Sequence, residues 1–398
     1  MIVLQLCQRP PFPPIDGGAI GMNNVTQGLL ELGHEIKVLS VATDKHPVHI
    51  AALPAVYLAK TNFESVYINT AIKAKDAFMN LFDSSSYNVN RFISTDFERK
   101  LIAILSQKKY DVVLLESLYV APYIACIRKY SNAKIVLRAP NVEYKIWERS
   151  ALNASSLPKK WYLSLLAKRL KSYETKVLSQ LDGLIPVTNE DLLLFQSMGY
   201  KGKGFSVPTG MMRSENEGIS SVVAEENSVF HIASMNWQPN VEAVEWFLKN
   251  VWPLVVAKNS KATFYLAGRD MPVHLLQHKQ ENVAVLGEVA NANDFYASKK
   301  IMVVPLLSGS GMRVKIIEGM ALGKVIVSTT LGAEGILCTN NKNIVIADSA
   351  KDFSQQIIRL LGDPEICEKL SIEAKKLIEE DYDNLAICKK IATFLSAL

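Results

Sequence analysis

Short runs of valine, isoleucine and leucine, each about as long as a β-strand, alternate along this chain with longer segments of helical periodicity. In the first half of the chain these apolar runs are Ile2–Cys7, Ile36–Val41, Val112–Glu116, Lys134–Arg138 and Gly183–Val187. In the second half they are Val229–Ser234, Ala262–Ala267, Val283–Leu286, Ile301–Leu306, Val325–Ser328 and Ile344–Ala347. Because continuous apolar runs suit strands that are buried on both faces, the alternation predicts parallel sheets covered by helices.

Two such series predict an α/β fold with two doubly wound, Rossmann-like domains, in which ligands bind outside the carboxyl ends of the strands. We place the boundary near Gly202–Met212, where glycines interrupt the pattern, with residues 1–207 in the first domain and 208–382 in the second. The polar, acidic segment Ser214–Asn227 is typical of a linker or surface loop. The aromatic insert Asn62–Phe92 does not fit the alternation, and we predict that it is helical.

Composition and charge exclude several classes of protein. A hydrophobic content of 49% and a charged content of 21% are those of a globular chain, which excludes a disordered protein or a coiled coil. The net charge of +5 is too small for a dedicated nucleic-acid binder, although it permits contact with anionic small molecules or an anionic membrane surface. Five scattered cysteines, an N-terminus unlike a signal peptide and the lack of a long apolar run predict a reduced, cytoplasmic protein without a membrane span.

The strongest candidate site follows the run Ile301–Leu306, where a loop containing Gly309, Ser310 and Gly311 leads into a predicted helix. Glycines at such a position let backbone N–H groups approach an anion closely. The nearby Gly319–Lys324 segment lacks the spacing and the hydroxyl residue of a P-loop, so we do not interpret it as one.

Two basic residues lie near the first turn of that helix. Arg313 and Lys315 there oppose the helix dipole, at a cost of about 0.3–1 kcal/mol each, and a bound phosphate would reverse this penalty. Glu318 lies three residues after Lys315 on the same helical face, about 4.5 Å further along the axis. A phosphate at Lys315 and a ribose at Glu318 would fit one nucleotide, whereas a surface Lys–Glu pair would not account for the glycines.

Polar groups follow other predicted strands as well. These are Arg138, Asn141 and Glu143 in the first half of the chain, and Glu288 with Val289 and then Glu334 in the second half. The first three are either side chains aimed at a ligand or a helix cap with solvated charges, and the sequence leaves both interpretations open. Glu334 would accept hydrogen bonds from a sugar or ribose hydroxyl, and residues 288–289 would offer backbone groups to a base.

The first loop of the chain contains Gly17 and Gly18 just before a predicted helix, which suits either an anion site or a plain turn. It does not match the glycine fingerprint of dinucleotide-binding proteins. No cluster of histidine, cysteine and carboxylate residues has metal-ligand spacing, so we expect no metal site.

Lys159–Lys176 holds six basic residues and one acidic residue, and its apolar residues Leu163, Leu166, Leu170 and Tyr173 have helical spacing. A helix of this kind either covers the sheet, which we favour, or lies on an anionic membrane surface.

Several segments occur in an order and at distances that are characteristic together. They are Gly17-Gly18, Leu32–Glu35, Tyr110–Val113, Arg138 with Asn141–Glu143, Pro208–Gly210, Ser234–Asn240, Gly309–Glu318 and Gly332–Gly335. In these segments the chain resembles the retaining, nucleotide-sugar-dependent glycosyltransferases of family four, also described as glycosyl transferases group 1. The resemblance covers nearly the whole chain and implies the GT-B fold, in which two Rossmann-like domains face an interdomain cleft.

The resemblance implies transfer of a sugar from a UDP- or GDP-sugar to the hydroxyl of a sugar or lipid-linked glycan acceptor, with retention and without a metal or other cofactor. It implies catalytic or diphosphate-binding roles for Arg313, Lys315 and Glu318, with Glu318 on the ribose. Donor contacts would come from Gly17, Gly18, Glu288, Val289, Gly309, Ser310, Gly311 and Glu334, and acceptor contacts from Arg138, Asn141 and Glu143. A C-terminal helix of about residues 383–398 would pack back on the first domain.

Two positions depart from the family pattern. Ser310 stands where relatives often carry the first glutamate of E-x7-E, and Pro140 replaces the histidine of the strand-end motif. These departures leave open a GT-B nucleotide-sugar 2-epimerase, or a non-catalytic protein that binds nucleotide sugars. The most direct functional interpretation is a glycosyltransferase of surface polysaccharide or glycoconjugate assembly, located in the cytoplasm or peripherally at the inner membrane face. The sequence alone does not indicate an oligomeric state.

Overall fold

The structure is a computed structural model, and it describes the whole chain except residues 73–78, 81–82, 84, 155, 213–223 and 310. The chain divides into two compact units. Unit 1 comprises Met1–Gly210 together with Asn384–Leu398, and unit 2 comprises Met211–Asp383.

Unit 1 contains a parallel sheet of seven strands in the order β3-β2-β1-β4-β5-β6-β7. The strands are β1 (Ile2–Cys7), β2 (Glu35–Ala42), β3 (Glu64–Tyr67), β4 (Val112–Leu115), β5 (Lys134–Ala139), β6 (Gly183–Pro186) and β7 (Lys203–Gly204). Alternate residues of β1 enter the apolar clusters on opposite faces of the sheet, as Leu4 and Val3 illustrate. Because both faces are covered, most residues of the central strands are apolar.

The α-helices of unit 1 cover both faces of this sheet, and a 3-10 helix spans Leu118–Tyr123. They are α1 (Gly17–Glu31), α2 (Ala55–Thr61), α3 (Tyr87–Asn90), α4 (Thr95–Gln107), α5 (Ile124–Tyr130), α6 (Glu143–Leu152), α7 (Leu157–Leu178) and α8 (Asn189–Ser197). Asp16 caps α1 and Ser94 caps α4, each by accepting backbone N–H groups of the first turn.

The last helix of the chain also belongs to unit 1. This helix, Asn384–Ser396, packs on α1, and the Asn384 amide donates to the Asn24 carbonyl over 2.8 Å. A methyl group on Gly28 would lie 2.3 Å from the Cys388 sulfur, so the two helices approach closely only because residue 28 lacks a side chain.

Unit 2 contains a parallel sheet of six strands in the order β10-β9-β8-β11-β12-β13. The strands are β8 (Ser228–Ile232), β9 (Thr263–Ala267), β10 (Val283–Gly287), β11 (Ile301–Val304), β12 (Val325–Ser328) and β13 (Val345–Ile346). The helices are α9 (Gln238–Trp246), α10 (Trp252–Val256), α11 (Val273–Leu276), α12 (Ala292–Ala297), α13 (Val314–Ala321), α14 (Ala350–Gly362) and α15 (Pro364–Asp381), and a π-helical segment, Phe247–Val251, joins α9 to α10. We number the helix Asn384–Ser396 of unit 1 as α16.

These sheets confirm the predicted α/β class, because every pairing in both of them is parallel and the first strand of each lies inside its sheet. Every predicted apolar run corresponds to a strand, with ends shifted by a few residues. Among the described residues, no helix is long and apolar enough to cross a membrane.

The prediction that the insert 62–92 is helical was wrong for its first part. Residues Glu64–Tyr67 form β3, an edge strand that pairs with β2, and part of the remaining insert lies outside the described residues. The strand is only half-buried, and the Lys37 ammonium donates to the Glu64 carboxylate over 2.6 Å at its start. A short edge strand held partly by ion pairs lacks the continuous apolar signal that reveals the central strands.

Candidate functional site

The strand order of unit 2 reverses direction between β8 and β11, and this is where doubly wound sheets open a crevice for ligands. The loop after β8 leads through Ser234 and Trp237 into α9, whereas the loop after β11 contains the two glycines and leads into α13. The strongest sequence motif therefore lies at the topological switch point of its sheet, beside a loop to which sequence reasoning assigned no site residue.

The glycine loop is shaped by contact with the loop after β8. Gly309 has φ of +107° and Gly311 has φ of +80°, which are conformations that favour glycine. A methyl group on Gly309 would lie 2.7 Å from the Trp237 ring. The Arg313 guanidinium lies over that same ring, 5.2 Å from its centroid, in a cation–π contact. Trp237 thus supports both the loop and its basic residue.

Lys315 contacts the neighbouring loop through a single amide. Its ammonium donates to the Asn240 side-chain oxygen over 2.9 Å, and the Asn240 amide nitrogen in turn donates to the Ser234 carbonyl over 2.8 Å. Burial, reinforced by the positive charge of Arg313, lowers the pKa of Lys315 to about 7. An anion bound at the start of this helix would therefore stabilise the charged form of Lys315.

Glu318 lies one turn further along α13, half-buried on the same side of the helix as Lys315. Burial raises the pKa of the Glu318 carboxyl, and the positive charge of Lys315 partly offsets that rise. The positions of Lys315 and Glu318 are separated by three residues of one helix, a rise of about 4.5 Å along its axis, as the sequence predicted.

A histidine behind Lys315 was missed by sequence reasoning. His231 of β8 is fully buried, and its Nδ1 lies 2.7 Å from the Val303 carbonyl oxygen of β11. Burial, together with the charge of Lys315, lowers the pKa of His231 to about 3, so the ring is neutral at physiological pH. A neutral ring adds no further positive charge to those of Arg313 and Lys315. The signal in the sequence was a lone histidine within an otherwise apolar strand.

The other predicted donor residues of unit 2 lie in different environments. Glu334 is half-buried in the turn after β12, Glu288 is exposed after β10, and Val289 packs against an apolar cluster. Ser310 lies outside the described residues. The neighbouring Ser308 is buried, and its hydroxyl donates to a Glu242 carboxylate oxygen of α9 over 2.8 Å, which fixes the start of the glycine loop.

In unit 1, the predicted glycines occupy the capped first turn of α1. The Asp16 carboxylate accepts from the backbone N–H groups of Gly18 and Ala19, each over 3.0 Å, and from the Arg9 guanidinium over 2.9 Å. A methyl group on Gly18 would lie 2.6 Å from that guanidinium. Gly17 is the first residue of the helix. Because residue 18 has no side chain, the Arg9 guanidinium can lie close to the backbone there. The sequence analysis did not select Arg9 as a site residue.

Arg138 lies inside unit 1 rather than at an open strand end. It is only 3% exposed, and its guanidinium donates to the Glu116 carboxylate over 2.8 Å and to the Thr209 hydroxyl over 3.3 Å. The second Glu116 oxygen accepts from the Gln5 amide over 2.6 Å. These contacts connect β1, the end of β4, β5 and the segment around Thr209. The Arg138 guanidinium is therefore bound to partners inside unit 1.

Glu143 begins α6 and is buried beside a second carboxyl group. The Tyr119 hydroxyl donates to Glu143 over 2.9 Å, and the Asn141 side chain also hydrogen-bonds to it. Glu174 of α7 accepts from the backbone N–H groups of Glu143 and Tyr144 over 3.1 and 3.3 Å, and so caps α6 from outside. Burial raises the pKa of Glu143, and burial with the Glu143 charge raises the pKa of Glu174 to about 8.

Within the residues that the structure describes, no group of three or more histidine, cysteine, aspartate or glutamate side chains is arranged to hold a metal ion. The positive charge at the unit 2 switch point comes from Arg313 and Lys315.

Comparisons with known proteins show similarity in sequence and in fold. Residues 226–363, all of them within unit 2, match the family model described as "Glycosyl transferases group 1". A Klebsiella pneumoniae protein described as an uncharacterized 44.6 kDa protein in the cps region is 21% identical over 390 residues, which cover 96% of each chain.

Solved glycosyltransferase structures share the fold of the whole chain. Sucrose-phosphate synthase from Thermosynechococcus elongatus matches with a TM-score of 0.72 and 13% identity, over 100% of this chain and 99% of that one. The pneumococcal O-GlcNAc transferase GtfA, in complex with UDP and GlcNAc, matches with a TM-score of 0.68 and 10% identity, over 100% and 99%. Anabaena HepE, in complex with UDP, matches with a TM-score of 0.66 and 12% identity over all of both chains.

The family match includes β8, the glycine loop and α13, and the structural matches extend over both units. The chain therefore has the GT-B fold of these structures, and its residues 226–363 are similar to glycosyl transferases group 1.

Proposed function

We propose that this protein is a group 1 glycosyltransferase, which moves a sugar from a nucleoside diphosphate sugar to an acceptor hydroxyl, with retention of anomeric configuration and in the cytoplasm. In this reaction the bond between the anomeric carbon and the diphosphate oxygen breaks, and a bond to the acceptor oxygen forms. The acceptor proton leaves with the nucleoside diphosphate. The chemical demand on the protein is to stabilise the negative charge that grows on the leaving diphosphate.

The observation that carries the proposal is the Lys315–Asn240 hydrogen bond at the unit 2 switch point. It holds an ammonium group at the first turn of α13, beside Arg313 and the glycine loop. A diphosphate in this position would accept from the loop amides of Gly309 and Gly311 and pair with both cations. Glu318, one turn further along, would then accept hydrogen bonds from the ribose hydroxyls.

Two cations and a helix N-terminus supply the charge that a divalent metal would otherwise bring to a diphosphate, and we therefore propose transfer without a metal. Activity unchanged by prior EDTA treatment would support this, whereas loss of activity that Mg²⁺ or Mn²⁺ restores would contradict it.

A uridine nucleotide is the donor that the comparisons favour. The matched structures of Anabaena HepE and of pneumococcal GtfA both contain UDP. Within unit 2, residues 288–289 follow β10 and Glu334 follows β12, at the same carboxyl edge of the parallel sheet as the switch point, and we propose that they contact the base and the sugar. The cps-region relative supports an acceptor in surface polysaccharide assembly, such as a sugar or a lipid-linked glycan.

Calorimetric titration with UDP, and with GDP for comparison, tests the donor site directly. Lys315→Ala and Glu318→Ala should each weaken UDP binding by about tenfold or more, because each removes a direct interaction with the ligand. Lys324→Ala is a suitable control, since Lys324 donates to the Lys299 carbonyl over 2.9 Å after the far end of α13.

Unchanged UDP affinity in both site variants, with folding intact, would refute the proposed donor site. The reaction itself needs a separate assay. Incubation of a UDP-sugar with and without sugar acceptors should consume the donor in the presence of acceptor, with the product linkage retained. Isomerisation of the donor sugar in the absence of acceptor would instead show an epimerase.

A further inference from the structure

An exposed apolar cluster lies where α6 connects to α7 in unit 1. Leu152 at the end of α6 is 67% exposed, and Leu157 and Trp161 in the first two turns of α7 are 83% and 62% exposed. We name these three residues the apolar tip. Large side chains exposed singly are ordinary, but three within one helix connection mark an interaction surface.

The surroundings of the apolar tip are basic. Lys159 and Lys160 are exposed between Leu157 and Trp161, and Lys168 is exposed two turns further along α7. From Arg149 to Tyr173 the sequence contains no aspartate or glutamate. An apolar tip surrounded by positive charge is suited to a partner that has an anionic surface and an apolar interior.

This surface is not the apolar stripe that the sequence pattern indicated. Leu166 and Leu170 are buried, and Leu163 and Tyr173 are partly buried, with Leu170 and Tyr173 in the core cluster of the unit. That stripe fixes α7 to the unit, as the favoured interpretation predicted. The exposed residues of the apolar tip lie at the beginning of the helix instead, so any insertion would occur at the tip and not along the helix.

We infer that the apolar tip and the lysines around it dock unit 1 on the surface of an anionic lipid bilayer. Leu152, Leu157 and Trp161 enter the boundary between headgroups and acyl chains, and Lys159 and Lys160 pair with lipid phosphates. A second copy of the chain fits this surface poorly, because a symmetric contact would bring the same lysines of two molecules face to face. Docking here would present the enzyme to acceptors that are themselves anchored in lipid.

The test is flotation of the full chain with vesicles, without any nucleotide, so that its outcome is independent of the proposed donor site. Vesicles of phosphatidylcholine containing phosphatidylglycerol at about one lipid in three should bind the protein at low salt. Pure phosphatidylcholine should bind it far less, and added salt should release it.

Two pairs of substitutions locate the surface. Leu157→Ser with Trp161→Ser should lower vesicle partitioning by about tenfold or more, because two large apolar side chains no longer leave water. Lys159→Glu with Lys160→Glu should lower it by at least a similar factor, since each basic residue near an anionic surface contributes roughly fivefold. Val273→Ser and Lys258→Glu with Lys261→Glu, on exposed positions of unit 2, are matched controls that should not change it.

Tryptophan fluorescence adds a direct contact measurement. Brominated lipid should quench the tryptophan fluorescence of the wild-type protein. Trp161→Phe should remove the quenching that is due to Trp161, while the variant still binds the vesicles. A lack of binding to anionic vesicles at low salt would overturn the inference. Vesicle binding that neither pair of substitutions changes would also overturn it. So would the finding that these substitutions disrupt a dimer of the protein and leave vesicle binding unaffected.

Discussion

The ammonium of Lys315 and the side-chain oxygen of Asn240 are 2.9 Å apart and join the loops that follow β8 and β11. Asn240 is itself held by the Ser234 carbonyl, so the lysine has a fixed partner before any ligand arrives. Because burial and Arg313 lower the pKa of Lys315 to about 7, this hydrogen bond lies next to a charge that is only half-formed at neutral pH.

Binding of a diphosphate should therefore be coupled to protonation of Lys315. An anion favours the ammonium form, so UDP affinity should be full below about pH 7 and should fall as the pH rises further, by up to about tenfold per pH unit. Calorimetry in buffers of different ionisation enthalpy should show proton uptake on binding near pH 8. Lys315→Arg keeps its charge over this range and should lose most of that pH dependence. The same pH profile in both proteins would contradict the coupling.

A side chain at residue 309 should disturb the glycine loop. Gly309→Ala places a methyl group 2.7 Å from the Trp237 ring at φ of +107°, which should cost about 1–3 kcal/mol of stability and weaken UDP binding. Urea unfolding and calorimetry measure the two effects. Gly362→Ala, at the end of α14 with no atom within 4 Å of the added methyl group, is the matched control and should be nearly neutral. Wild-type stability and affinity in Gly309→Ala would show that the loop adapts freely.

Breaking the buried ion pair of unit 1 should destabilise the protein strongly. Arg138→Met leaves the Glu116 carboxylate buried without its guanidinium partner, at an expected cost of about 3–5 kcal/mol in urea unfolding. Adding Glu116→Leu should recover part of that loss, because the unpaired charge is then removed. Arg99→Ala, which removes an exposed pair with Asp96, should change stability by less than about 1 kcal/mol. Full activity with unchanged stability in Arg138→Met would show that the pair has no structural role.

Glu174 should make stability depend on pH. Its pKa is about 8 in the folded state against an ordinary value of 4.5, so the folded state binds more protons than the unfolded state between these values. Stability should therefore fall as the pH rises from about 4.5 to about 8. Glu174→Gln should flatten this decline, whereas Glu31→Gln, on an exposed position of α1, should leave it unchanged. Parallel curves for wild type and Glu174→Gln would contradict the assignment.

The sequence predicted the fold well where burial is two-sided. Runs such as Ile2–Cys7 and Val325–Ser328 are mostly apolar, because helices cover both faces of the strand, and they coincide with β1 and β12. The half-buried edge strand β3 was missed, since its stability depends on pairing with β2 and on ion pairs rather than on an apolar pattern.

Within the site, spacing along one helix was predictable and contact between loops was not. Lys315 and Glu318 lie on one helix face, as their sequence separation requires. Asn240, Trp237 and His231 come from a segment far away in sequence, and only the parallel order of β8 and β11 brings them to the glycine loop. The sequence analysis did not predict that the Asp16 carboxylate would cap α1 or pair with Arg9.

The packing of α16 on α1 has a consequence for the order in which the protein forms during synthesis. Residues 384–398 are translated after all of unit 2, yet they cover α1 near the beginning of unit 1. On the ribosome, the whole sequence of unit 2 is available before α16 has been made. Until then unit 1 lacks this helix, whose residues Ile387 and Ile391 are buried in the complete protein. The part of the chain that is made first is therefore the part that is completed last.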